Sequence, residues 1–208
     1  MAQPNRQYLS IEEYLWEEQH SETKRDYYNG QVYNMAGGTV AHSRIAVNVI
    51  NRLSETLEPR GCQVFNSDLK VAVAGKSRQR GKRRESEDEF VTYPDVSVVC
   101  GEVQLYQEDA QTLANPVMLV EVLSPSTRNY DRTVKLEQYR KLPSLQAYLM
   151  VDSEWVWAEL YLRLDAGNWQ VLPTLVNLEE TLNIEALGIE LTLAALYRGV
   201  QLNEVDPA

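Results

Sequence analysis

Two carboxylates stand where an unaided carboxylate is costly. Asp95 follows Tyr93-Pro94 at the head of an apolar stretch, and Glu121 interrupts another, Val117-Met118-Leu119-Val120-Glu121-Val122-Leu123. A short apolar run bounded by turn residues reads as a strand buried on both faces of a sheet. An ionised carboxylate in such a strand needs a basic group, a proton or a metal ion to compensate it. If the two strands pair, the acids converge on one side of the sheet, and a shared proton or a divalent cation relieves their repulsion. Mg²⁺ takes oxygen ligands from one or two carboxylates and completes its shell with water and substrate phosphate. Held there, it activates a water and stabilises charge developing on a phosphoryl group. The chemistry on offer is phosphodiester hydrolysis.

Asp131, Lys135 and Tyr139 follow at i, i+4 and i+8, a spacing that stacks them on one helix face. As an exposed pair, Asp131 and Lys135 contribute only a few tenths of a kcal/mol. Turned toward Glu121, the Lys135 ammonium could instead orient an attacking water or balance a phosphorane. A third arrangement has Glu121 and Lys135 as a structural ion pair with no ligand, in which case removing one partner costs about 3–5 kcal/mol.

The elements that must position these groups are legible from periodicity and punctuation. Ser10 with Glu13 three residues on is a capping box that starts a short helix. Asn29-Gly30 inside 26–33 signals a hairpin. Ile45, Val49, Leu53 and Leu57 recur every four residues, one face of a helix ended by Pro59 and Gly61. Strands are expected at 62–65, 69–73, 95–100, 117–123, 145–151, 155–164 and 168–172. Helices are expected over 129–141, stopped by Pro143, and over 191–198. A strand, a helix and a further apolar strand in succession read as a crossover between parallel strands. The class is α/β with a mixed sheet.

At 208 residues and 44% hydrophobic, residues 1–208 form a single domain by expectation. No apolar run approaches the roughly 18 residues that span a bilayer, and the first residues lack a signal-peptide core, so the expected setting is the cytoplasm, away from membranes. Cys62 and Cys100 alone give neither a disulfide framework nor a thiolate zinc site. The net charge of −10 argues mildly against nucleic acid. Yet fields between exposed charges fade over about 8 Å at physiological salt, so a local basic surface can prevail. One is available: Lys76, Arg78, Arg80, Lys82, Arg83 and Arg84 fall within nine residues containing no acid, in a charged loop read as 75–92. It is either a solvated loop or a phosphate-contacting flap.

Pro94-Asp95, Glu121-Val122-Leu123, Ser124-Pro125-Ser126-Thr127, Asp131, Lys135 and Tyr139 together resemble the Uma family of bacterial endonucleases, within the PD-(D/E)XK restriction-endonuclease-like superfamily. The resemblance runs from the N-terminal helix to the strand near Val151. It implies a mixed sheet flanked by helices, with an N-terminal helix and a C-terminal hairpin extension. It implies that Asp95, Glu121 and the Val122 backbone carbonyl bind Mg²⁺ or Mn²⁺, and that DNA is the substrate. The superfamily's lysine two residues after the glutamate is replaced here by Leu123, which points to Lys135 on the following helix. Asp26 stands where the family carries an acid before the hairpin glycine, and His42 matches a histidine at the start of the next helix; Asp131 and Tyr139 are supporting. The competing reading is a catalytically inactive nuclease-like fold acting as a dimeric nucleic-acid- or protein-binding module. Trp155, Trp157, Leu160 and Leu162 suggest it, offering more apolar surface than one sheet face needs. A homodimer suits both readings.

Overall fold

The computed structural model describes residues 8–35, 37–73, 89–165 and 167–202. Helix α1 (Ile11–Glu18) begins at Ser10, whose hydroxyl accepts the Glu13 amide while the Glu13 carboxylate accepts the Ser10 amide. Strands β1 (Arg25–Tyr28) and β2 (Gln31–Asn34) form the expected hairpin. Asn29 and Gly30 take φ 46° and 86°, the left-handed pair that a type I′ turn requires. Helix α2 (Val40–Leu57) is capped by Thr39 and buries Ile45, Val49, Leu53 and Leu57. The strands β3 (Cys62–Asn66), β4 (Lys70–Val73), β5 (Phe90–Thr92), β6 (Val96–Cys100), β7 (Thr112–Leu113) and β8 (Met118–Leu123) follow.

Helix α3 covers 128–139 as an α turn (Arg128–Tyr130), a π turn (Asp131–Lys135) and a second α turn (Leu136–Tyr139). Then come β9 (Ala147–Asp152), β10 (Ala158–Arg163), β11 (Trp169–Val171), β12 (Thr181–Ile184) and β13 (Ile189–Thr192), closed by a helical turn at Leu193–Leu196.

The main sheet has six strands in the order β11-β10-β9-β8-β6-β3, and the second has five in the order β2-β1-β5-β4-β7. β8 and β9 are parallel with α3 as the crossover, while β6 runs antiparallel to β8. This is the mixed α/β architecture that the sequence implied.

Every residue of β8 is buried, and its side chains alternate between two cores. Met118, Val120 and Val122 join α2 and the C-terminal hairpin β12–β13 in one core. Leu119 and Leu123 join Tyr139 of α3 with Val71 and Phe90 of the second sheet in the other. Glu121 alternates with Leu119 and Leu123, so it points into this second core.

Four expectations need correction. Phe90–Thr92, placed in the charged loop, is a fully buried strand of the second sheet; Phe-Val-Thr is a strong β sequence that the neighbouring charges obscured. The segment 191–198 is not one helix: Leu191-Thr192 finish β13, where Ile189 and Leu191 alternate inward. Cys62 and Cys100 sit opposite each other across β3 and β6 and form a disulfide. Finally, of the four side chains expected to give surplus apolar surface, Leu160 and Leu162 are interior, in the core shared with β12, β13 and the last helical turn, while Trp155 and Trp157 are half-buried. Among the described residues no helix is long and apolar enough to cross a membrane. The basic run from Lys76 to Arg84, with Arg78, Arg80, Lys82 and Arg83, lies outside the described residues.

Candidate active site

Strand register brings the two acids together. Val96 of β6 pairs with Val120 of β8, so Asp95, one residue before, lies opposite Glu121, one residue after, and antiparallel partners share a face. Asp95 is fixed by two contacts on Oδ2: the Val122 amide donates to it at 2.7 Å, and His42 Nε2 lies 3.2 Å away. His42 reaches Asp95 from the first turn of α2. Gly38 lets its ring pack close, since a Cβ there would sit 2.8 Å from Nδ1.

Glu121 is 2% exposed and Lys135 4%. Glu121 Oε1 accepts from Lys135 Nζ at 3.0 Å and from the Tyr139 hydroxyl at 2.7 Å. Nζ also lies 3.2 Å from Asp131 Oδ1. The helix carrying these groups departs from α geometry where they sit: the Leu136 amide bonds back to the Asp131 carbonyl. That carbonyl also accepts the Tyr148 hydroxyl at 3.1 Å, which ties the π turn to β9. Such turns recur at functional sites.

Asp26 arrives from the other sheet. It is 5% exposed, and its Oδ1, with Thr92 Oγ1 and Tyr130 Oη, is buried without a hydrogen-bond partner among the described residues. Four carboxylates, Asp26, Asp95, Glu121 and Asp131, thus act on the one ammonium of Lys135.

The titration of the cluster follows from burial and from that imbalance. Burial pushes Asp26 above the usual carboxylate range against the pull of Lys135. Burial also drives Glu121 well up, opposed by Lys135 and reinforced by Asp131 and Asp95. For Lys135, burial favours loss of the proton, but Glu121, Asp131, Asp26 and Asp95 outweigh it and hold the ammonium charged. His42 is likewise raised: its burial is outweighed by the hydrogen bond and charge of Asp95. All four groups shift toward binding protons, the two carboxylates chiefly through burial and Lys135 and His42 through the acids beside them. Four carboxylates against one ammonium leave the site short of positive charge.

That shortage fits an oxygen-liganded divalent cation. The bonds to Asp95 and Glu121 fall on one oxygen of each, Oδ2 and Oε1. Among the described residues no three His, Cys, Asp or Glu side chains form a cage for an ion. Asp95 and Glu121 are two candidate ligands, and Mg²⁺ takes one or two carboxylates with water and substrate phosphate for the rest.

The structure thus gathers Asp26, His42, Asp95, Glu121, Asp131, Lys135 and Tyr139 around one point of the second core. Sequence reasoning missed Tyr130, Tyr148 and Gly38. Tyr130 adjoins Asp131, and its ring centroid lies 5.8 Å from Lys135 Nζ; Tyr148 alternates with Met150 on β9. A surface depression lined by Asn51, Ser54, Glu55, Glu58 and Pro59 contains none of these groups.

The chain matches the family described as "Uma2: Putative restriction endonuclease" over residues 7–195. It is 36% identical over 193 residues to the uncharacterized protein slr1290 of Synechocystis sp., covering 92% of this chain and 93% of that one. A second Synechocystis protein, sll1609, is 30% identical over 161 residues, covering 77% and 84%. Among solved structures, a "putative nuclease belonging to DUF820" from Anabaena variabilis aligns with a TM-score of 0.68 at 17% identity, covering 91% of this chain and 97% of its own. That likeness shows a shared fold.

Proposed function

This chain belongs to the Uma2 restriction-endonuclease family, and from there we propose that it is a metal-dependent endonuclease hydrolysing DNA phosphodiester bonds. The observation that carries the reading is the surplus of buried carboxylate around Lys135, with Asp95 and Glu121 opposite each other at its edge. Asp95, Glu121 and the Val122 carbonyl would hold Mg²⁺ or Mn²⁺. The bound ion would supply an activated water and neutralise charge on the phosphoryl oxygens.

The protein's own groups have separable tasks. The Asp95 carboxylate is aimed by the Val122 amide and His42. Tyr139 and Lys135 donate to the same oxygen of Glu121 and fix its rotamer. Because its neighbours hold Lys135 charged, it acts as a fixed cation and hydrogen-bond donor toward the attacking water or the phosphorane, and not as a base. Asp131 anchors that ammonium from the same helix. Asp26 supplies a further negative charge on the side of the second sheet.

The first test is calorimetric titration of Mg²⁺ and Mn²⁺ into metal-stripped protein, beside Asp95→Ala and Glu121→Ala. Binding in the wild type that both variants lose, followed by metal-dependent cleavage of DNA that both variants lack, is the expected result. No heat in the wild type, with or without a short DNA duplex to complete the coordination shell, would remove the metal from the mechanism.

A further inference from the structure

Arg140 follows the last turn of α3, and its guanidinium lies 5.2 Å from the Tyr161 ring and 5.8 Å from the Trp169 ring. The Arg163 guanidinium lies 4.7 Å from Trp169, and that of Arg132 5.0 Å from Trp157. Arg163 and Trp169 are direct partners across β10 and β11, and β11 is the edge of the six-stranded sheet. The three rings are half-buried, and the Arg132 side chain is 44% exposed. Arginine and aromatic side chains therefore cluster between α3 and the β10–β11 edge of the sheet.

The three arginines here lack a close carboxylate among the described residues, as does Arg60, which donates to the Leu187 and Gly188 carbonyls. Arg25, Arg52 and Arg128 each reach a carboxylate, at 2.8, 2.8 and 2.7 Å. Arg163 instead donates to the carbonyls of Leu145, Arg140 and Leu142. The Arg140 guanidinium bonds no acceptor among the described residues, and its Nε is buried without one. Arg132 reaches Glu159 only at 3.9 Å. In a chain of net charge −10, cations left without a close carboxylate are conspicuous. Stacking holds a guanidinium plane in place. Arg163 spends Nε and Nη2 on carbonyls and so seats Trp169, while the terminal nitrogens of Arg132 and Arg140 have no hydrogen bond among the described residues, the end of the fork that suits capture of a phosphate diester.

That edge is also tied to the cluster around Glu121. Tyr139, which bonds Glu121, packs on Tyr148 at 5.2 Å, and Tyr148 on Tyr161 at 6.3 Å. Arg132 and Lys135 share the π turn of α3.

We propose that Arg132 and Arg140, stacked on Trp157, Tyr161 and Trp169, with Arg163 seating Trp169, form a track for the sugar-phosphate backbone of a DNA duplex beside the cleavage site. The choice of DNA over another polyanion rests on the nuclease reading. The track itself rests on the stacked arginines.

The test is fluorescence anisotropy of a short labelled duplex in EDTA, titrated across a range of salt, with wild type, Arg140→Gln and Arg140→Glu. Circular dichroism and melting would show that the variants are folded. Every phosphate that the protein ceases to neutralise lowers the slope of log K against log salt by about 0.9, so Arg140→Gln should flatten it by about one such step. Arg140→Glu should weaken binding about tenfold or more at fixed salt. Wild-type slope and affinity in both folded variants would overturn the track, as would no duplex binding by the wild type. Displacement of the duplex by polyglutamate as readily as by unlabelled DNA would overturn it in favour of an acidic protein partner. Because metal is chelated, the two readings separate. Normal track behaviour with no cleavage in any metal refutes the nuclease reading alone; metal-dependent cleavage with an unchanged slope in the Arg140 variants refutes the track alone.

Discussion

At the scale of single residues, Glu121 decides between a metal site and a structural ion pair. If Glu121 served only to pair with Lys135, Glu121→Gln would cost about 3–5 kcal/mol through the ammonium left behind. Here Asp26, Asp95 and Asp131 remain around Lys135, so the ammonium keeps its compensation and one repulsive charge is gone. We expect Glu121→Gln to leave the metal-free protein as stable as the wild type or more so, measured by urea unfolding in EDTA. Lys135→Ala has the opposite sign: it strands the buried acids and should cost about 3–5 kcal/mol. Its cleavage assay must therefore be run where the variant is shown to be folded.

Burial and the same surplus together fix a pH dependence. Asp26 and Glu121 are raised when folded, so the folded protein binds protons more readily than the unfolded chain from about pH 4 up to their folded values. His42 is raised too, so its contribution is present below about pH 6.5 and is lost as pH climbs through its folded value. Asp68 and Asp109 are lowered, and their stabilisation is lost only below the usual carboxylate range. Stability of the metal-free protein should therefore fall as pH rises from about 5 to about 8. Thermal melts in EDTA that rise over this interval would contradict the account.

At the scale of elements, what matters is how a helix end is aimed. The first turn of α2 carries His42 to Asp95 because Gly38 leaves room for the ring. Gly38→Ala puts a Cβ against Nδ1, and the side chain, being the softer partner, should swing away from Asp95. The predicted signature is a small change in stability, within about 1 kcal/mol, with a loss of cleavage rate similar to that of His42→Ala. The double variant should be no worse than either single one, because both act through the same contact. Independent, additive effects would show that Gly38 serves something else. In α3, the π turn places Asp131 and Lys135 together and Tyr148 holds it from β9; regular i, i+4 spacing alone did not reveal that distortion.

At the scale of the whole molecule, the site exists because two sheets close on one core. β8 supplies Glu121, the approach to β6 supplies Asp95, and β1 in the second sheet supplies Asp26. The opposite face of β8 and β10 is sealed by β12 and β13, which pack on Leu160 and Leu162. Leu160 is fully buried there, so Leu160→Ala should cost about 2–5 kcal/mol, read as a lowered urea midpoint. A cost near zero would mean that the C-terminal hairpin is loosely held and that β10 has an open apolar face after all.

The amino-acid sequence by itself determined the local elements and the chemistry they carry. Ser10 and Glu13 set a helix start, Asn29-Gly30 a hairpin, and Val117 to Leu123 a buried strand with an acid in it. These are short-range matters of capping, left-handed backbone and period-two alternation, all contained within a few neighbours. Where alternation was short or flanked by charge, as at Phe90–Thr92 and in β12–β13, the same signals were present but too brief to stand out.

Only the tertiary structure decided which distant residues meet. The order of strands in a sheet sets that Asp26 faces Lys135, that Cys62 opposes Cys100 and that Arg140 lies against Trp169. Register and sheet order are properties of long-range pairing, chosen by the joint burial of many side chains, and no local window of sequence contains them.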